Sequence, residues 1–126
     1  LIPEIVADLE RAIERAIRAG VAWEDILIDP GFGFGKTAEH NLAVLRDLPG
    51  LAILGRPMLL GTSRKSTLGR VLDLPVDQRL EATLATTALA IAGGVDVLRV
   101  HDVRENVRAA RMADAVVRGP REGDGA

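Results

Sequence analysis

The chain has no cysteine and no tyrosine, only two phenylalanines and one tryptophan, and two lysines among its 16 basic residues. Without cysteine it carries neither a disulfide framework nor a thiolate metal site. That absence fits a cytoplasmic protein, which is the expectation; no apolar run reaches the ~20 residues that a helix needs to span a bilayer, and no signal-peptide pattern opens the sequence. With 18 acidic against 16 basic residues the net charge is −2. That balance argues against a nucleic-acid partner or a membrane surface. What remains is ordinary for a soluble α/β domain: 126 residues, 48% hydrophobic and 27% charged.

The scarce residues are gathered. Both lysines, both phenylalanines and both serines fall in two short stretches, Asp29-Pro30-Gly31-Phe32-Gly33-Phe34-Gly35-Lys36-Thr37 and Gly61-Thr62-Ser63-Arg64-Lys65-Ser66. Around them the hydrophobic pattern predicts a helix from Pro3 to Ala19, its stripe formed by Ile5, Leu9, Ala12, Ile13, Ala16 and Ile17 and stopped at Gly20. Ile26-Leu27-Ile28 reads as a buried parallel strand. A helix over Ala38–Leu48 ends at Pro49-Gly50, and Met58-Leu59-Leu60, begun near Pro57, is a second strand. A short helix over Ser66–Leu72 follows. Then comes a longer one from Asp77, its expected N-cap, to Ala92, stopped by Gly93-Gly94. Val97–Val100 is the third strand, and Arg104–Val117 the last helix. Residues 1–117 form the expected domain, and the Gly- and charge-rich tail 118–126 is expected to be disordered.

The order α-β-α-β-α-β-α implies an α/β protein with three parallel strands, either in a doubly wound sheet or in part of a (β/α)8 barrel. The barrel is favoured because the Gly-rich polar stretches follow the C-terminal ends of strands. A complete barrel has eight strands and about 250 residues, so three strands point to its C-terminal portion.

Three strand-end motifs carry the chemistry. The first is not a P-loop, because Pro30 stands where that motif needs glycine, and the relaxed dinucleotide fingerprint lacks its acidic partner. An aspartate at a strand mouth, Asp29, can instead accept two N–H bonds from a planar heterocycle, or simply shape the turn before Pro30. Phe34, between two glycines, suits the wall of an aromatic pocket. In the second motif Ser66 is a helix N-cap, and a helix start beside Lys65 is a natural carboxylate site. In the third, alternation puts Arg99 and His101 on one face, a cationic pair suited to pyrophosphate; alternatively Arg99 pairs with Asp96 or Asp102. His40, at a helix start, reads as a surface residue.

Together these motifs resemble those of dihydropteroate synthase over about Pro3 to Val117, in that family's order. The resemblance implies the C-terminal part of a pterin-binding (β/α)8 barrel, a homodimeric Mg²⁺-assisted transferase of folate biosynthesis. It would condense hydroxymethyl-dihydropterin pyrophosphate with p-aminobenzoate and release pyrophosphate. It implies pterin binding by Asp29, Gly61, Lys65 and Arg99, and p-aminobenzoate binding by Phe34, Ser63, Lys65 and Ser66. Pyrophosphate would be held by Arg99 and His101, and the catalytic set would be Lys65, Arg99 and His101. It assigns no metal ligand to this segment. The Mg²⁺-holding Asn, the mobile loops after the first two strands and further pterin ligands are expected in a missing N-terminal part. The rival readings are a pterin-binding methyltransferase, which is not expected to carry the second and third motifs, and a non-catalytic half-barrel.

Overall fold

The computed structural model describes residues 1–31, 37–62 and 71–120. Four α-helices are described in full, α1 (Ile2–Arg18), α2 (Ala38–Arg46), α3 (Leu80–Ala92) and α4 (Val103–Arg118); Val71 and Leu72 are also helical, and the rest of the helix expected over Ser66–Leu72 lies outside the described residues. Two short strands, β1 (Leu59–Leu60) and β2 (Val97–Leu98), pair in parallel with Leu59 opposite Val97 and Leu60 opposite Leu98. Ile28 adds a single parallel bridge to Met58 on the other side of β1. The three segments predicted as strands therefore lie side by side, but each is shorter than the apolar run that announced it.

Alternation along these segments sorts their side chains into two faces. Ile26, Ile28, Met58 and Leu60 are buried on the face that meets the helices. The opposite face carries Leu27, Leu59 and Val97, and Leu27 is 52% exposed. Ile26-Leu27-Ile28 is thus covered on one side only, whereas a continuous apolar run implies cover on both.

Helix α1 forms where expected, with Pro3 in its first turn and Ile5 and Ile13 buried, although Ile17 at the end of the stripe is exposed. It packs on a seven-residue 3₁₀ segment, Leu48–Leu54. A 3₁₀ helix has three residues per turn, so Leu48, Leu51 and Leu54 share one face, and all three are buried. Pro49-Gly50 does not merely end α2, as the sequence suggests; it opens this segment. Asp77 is not the N-cap of the longer helix. A 3₁₀ turn over Val76–Gln78, begun at Pro75, precedes it, and α3 starts only after Arg79. The last helix takes in Arg118, the first residue of the expected tail.

Gly93, which ends α3, shows why glycine stands there. A Cβ at that position would lie 2.8 Å from Leu48 Cβ and 3.0 Å from Leu48 Cδ1. Asp96 then sets the phase of β2 against β1. Its backbone N–H donates to Met58 O at 2.8 Å, and its carboxylate accepts from Met58 N at 3.1 Å. At the opposite edge, Arg56 donates to the carbonyls of Ile26 and Glu24 and lies over the Trp23 ring at 5.0 Å. No helix among the described residues is long and apolar enough to cross a membrane.

Candidate functional site

The site is built where the three strand segments end. Asp29 follows Ile28, one residue past the bridge to Met58, and its Oδ1 accepts the Gly31 N–H at 2.8 Å. This is the local turn contact that an aspartate before Pro-Gly makes. Asp29 is exposed, so its carboxylate keeps further lone pairs for a ligand. Helix α2 opens just beyond this loop with a side-chain cap, Thr37 Oγ1 accepting from His40 N at 3.1 Å. His40 is exposed, as expected.

Gly61 and Arg99 sit across from each other at the ends of β1 and β2. The Arg99 N–H extends the ladder by one bond, to Leu60 O at 3.1 Å. Its side chain then lies directly over Gly61, where an added Cβ would meet Arg99 Nε at 3.1 Å and Nη2 at 3.2 Å. Glycine here makes room for a guanidinium. Asp96, one of the two alternative partners for Arg99, is engaged by Met58 N and by Arg118, at 3.7 Å. The Arg99 guanidinium is exposed on the open face.

His101 is exposed, and its carbonyl accepts from Val103 N at 3.0 Å. Because β2 ends at Leu98, strand alternation no longer dictates on which face His101 stands. Phe34, Ser63, Lys65 and Ser66 lie outside the described residues, so of the expected site residues the structure places Asp29, Gly61, Arg99 and His101. Among the described residues no three His, Cys, Asp or Glu side chains gather at one place.

The sequence did not single out the polar residues underneath. Thr62 is buried, and its hydroxyl is 2.7 Å from Thr86 Oγ1 on α3. Thr86 Oγ1 in turn donates to Thr83 O at 2.8 Å, so the shared proton in the first contact comes from Thr62. Thr87, the next residue of α3, donates to Asn106 Oδ1 at 2.6 Å. Asn106 Nδ2 donates to Asp102 O at 2.9 Å, beside the Asn106 backbone N–H at 3.0 Å. Among the described residues no buried side-chain nitrogen or oxygen lacks a partner.

A family model described as pterin binding enzyme matches residues 1–101. The chain belongs to the pterin-binding enzyme family. Within that family it is 51% identical over 119 residues to a dihydropteroate synthase of Clostridium beijerinckii, covering 94% of this chain and 44% of that protein. The structure of dihydropteroate synthase from Clostridium difficile, determined in the presence of pteroic acid, superposes with a TM-score of 0.90 at 54% identity. That match covers 94% of this chain and 45% of the other. An inactive dihydropteroate synthase 2 of Mycobacterium tuberculosis is 40% identical, covering 92% of this chain and 36% of that protein. The chain thus spans less than half the length of these relatives, and its fold is the matching part of a pterin-binding (β/α)8 barrel enzyme.

Proposed function

We propose that this chain is the C-terminal part of a dihydropteroate synthase, contributing three neighbouring parallel strands and one wall of the active site. The observation that carries the proposal is the Arg99 guanidinium held over Gly61 at the end of β1 and β2, with Asp29 exposed one residue past the Ile28 bridge on the neighbouring segment. Asp29 accepts N–H bonds from the pterin, whose face Arg99 covers. Arg99 and His101 receive the pyrophosphate. Lys65 bonds the pterin carbonyl and ring nitrogen while its stem lines the neighbouring pocket. There Phe34 packs on the p-aminobenzoate ring, and Ser66 and Ser63 hold its carboxylate.

The chemistry these residues support is substitution at the pterin methylene carbon. The bond from that carbon to the pyrophosphate oxygen breaks, and both electrons leave with pyrophosphate. The p-aminobenzoate nitrogen forms the new C–N bond and then releases its proton. Cationic side chains aimed at the departing oxygens lower the barrier, because charge develops there in the transition state. No enzyme nucleophile is required. Mg²⁺ would be held by residues outside this chain, and the complete enzyme would be a cytoplasmic homodimer.

The inactive mycobacterial relative favours a second reading, in which the barrel binds ligand without turnover. Dihydropteroate formation from both substrates decides between them, measured on this chain alone and joined to the N-terminal portion of a relative. Turnover only in the joined protein supports the synthase. Pterin binding without turnover there supports the second reading. Neither binding nor turnover would reject both.

A further inference from the structure

Helix α3 is rich in alanine and leucine, yet its buried face carries Thr83, Thr86 and Thr87. β-Branched hydroxyl residues are poorer helix formers than the alanines around them. Two of these threonines point at loops rather than at the core. Thr86 receives the Thr62 hydroxyl, one residue beyond Gly61. Thr87 holds Asn106, whose side-chain amide holds the Asp102 carbonyl in the turn that follows Arg99 and His101. Neighbouring residues of one helix thus grip the exits of two neighbouring strands, each through a separate buried hydroxyl.

We propose that Thr86 and Thr87 are positioning residues, which fix independently the two strand exits between which Arg99 is laid over Gly61. Thr86, through Thr62, sets the start of the loop after β1. Thr87, through Asn106, sets the turn after β2. Neither touches the open face. Their effect on a ligand passes through Gly61 on one side and through Arg99 and His101 on the other. The proposal rests on the function proposed above only for its kinetic readout.

The direct test is ¹⁵N relaxation of this chain joined to the N-terminal portion of the C. beijerinckii relative, and of the Thr86→Val, Thr87→Val, Thr86→Ser and Thr87→Ser variants of that joined protein. Valine keeps the shape and removes the hydroxyl, whereas serine keeps the hydroxyl. Thr86→Val should lower the order of Gly61 and Thr62 while leaving His101–Asn106 unchanged, and Thr87→Val should do the reverse. Each serine variant should restore the order of the parent chain. Thr62→Val should reproduce Thr86→Val, and the double variant should be no more mobile than either single one.

The kinetic test replaces the matching segment of the C. beijerinckii relative with this chain. There Thr87→Val should raise the KM for the pterin pyrophosphate about tenfold with the KM for p-aminobenzoate within about twofold, whereas Thr86→Val, which loosens Gly61 and the start of the loop after it, should raise both. Equal loosening of both exits by either valine variant would overturn the proposal. Failure of serine to restore order would also overturn it, as would a parent chain already as mobile at Gly61 and Asp102 as at the exposed end of α4. If the relaxation pattern holds while the joined protein has no activity, the positioning role stands and the synthase reading falls.

Discussion

At the scale of single residues, the strands carry apolar residues below and the proposed ligand-binding residues above. Asp29, Gly61 and Arg99 each stand just past an apolar strand residue, and each has a different physical reason to be there. Asp29 offers a carboxylate whose one described bond, to Gly31 N, leaves acceptor capacity free. In the complete enzyme Asp29→Asn swaps an acceptor for an amide, half of which presents donors to the ligand's own donors. A loss of about 2–4 kcal/mol in pterin binding is expected, or about 30- to 1000-fold by calorimetry. An Asp29→Asn enzyme with normal pterin affinity would show that this residue has been assigned wrongly. Gly61→Ala tests the neighbouring position. Its methyl group enters the space of the Arg99 guanidinium. Displacing a charge-stabilising group by a fraction of an ångström to an ångström should lower kcat/KM for the pterin pyrophosphate about 10- to 100-fold. The thermal midpoint should change little, because Arg99 is exposed.

At the scale of elements, legibility followed the length of the periodic signal. Helices α1, α3 and α4 were readable because a 3.6-residue stripe repeats several times in each. The strands were readable as places but not as lengths, since three apolar residues in a row say nothing about how many ladder bonds will form. The Leu48–Leu54 segment was missed because Pro49-Gly50 is a stop signal for an α-helix, while the three-residue spacing of its leucines is legible only once a 3₁₀ helix is considered. Asp77 was misassigned for a related reason, as Pro75 starts a tight turn before the helix can begin. Strand-end site residues announced themselves through glycine and charge after apolar runs. The threonines beneath them did not, because Thr62, Thr86 and Thr87 occupy positions that a hydrophobic pattern fills equally well. The junction of α3 with the 3₁₀ segment yields a further prediction. Gly93→Ala places a methyl group 2.8 Å from Leu48 Cβ, on a side chain that is fully buried. Overpacking of this kind should destabilise the chain by about 1–3 kcal/mol, read as a lower urea midpoint.

At the scale of the whole molecule, among the described residues the helices cover one face of the strands and leave the other open. Leu27 and Val97 are exposed on it, at 52% and 39%, and β2 and the Ile28 bridge present outer edges. Open edges and apolar surface favour association. Sedimentation of the chain alone should therefore show a concentration-dependent rise in mass. Joining the N-terminal portion of a relative should return the particle to a fixed size, because those strands would occupy the same face. A chain that stays monomeric across the accessible concentration range, with cooperative unfolding at high temperature, would show that this face needs no cover.

The grip of Asp96 on Met58 bears on how the protein can change its length. Backbone and side chain of one residue take both the carbonyl and the amide of the other, so β2 is indexed to β1 by a mark placed before the site begins. Residues inserted at the exposed turn around Asp73 would lengthen the crossover without moving that mark. Arg99 would still arrive three residues later, opposite Gly61. The segment between the two strands can therefore grow, shrink or be cut and rejoined, as in a circular permutant, while the phase of the open face stays the same. A single residue inserted between Asp96 and Arg99 would rotate the guanidinium to the helix side and leave the rest of the chain in place.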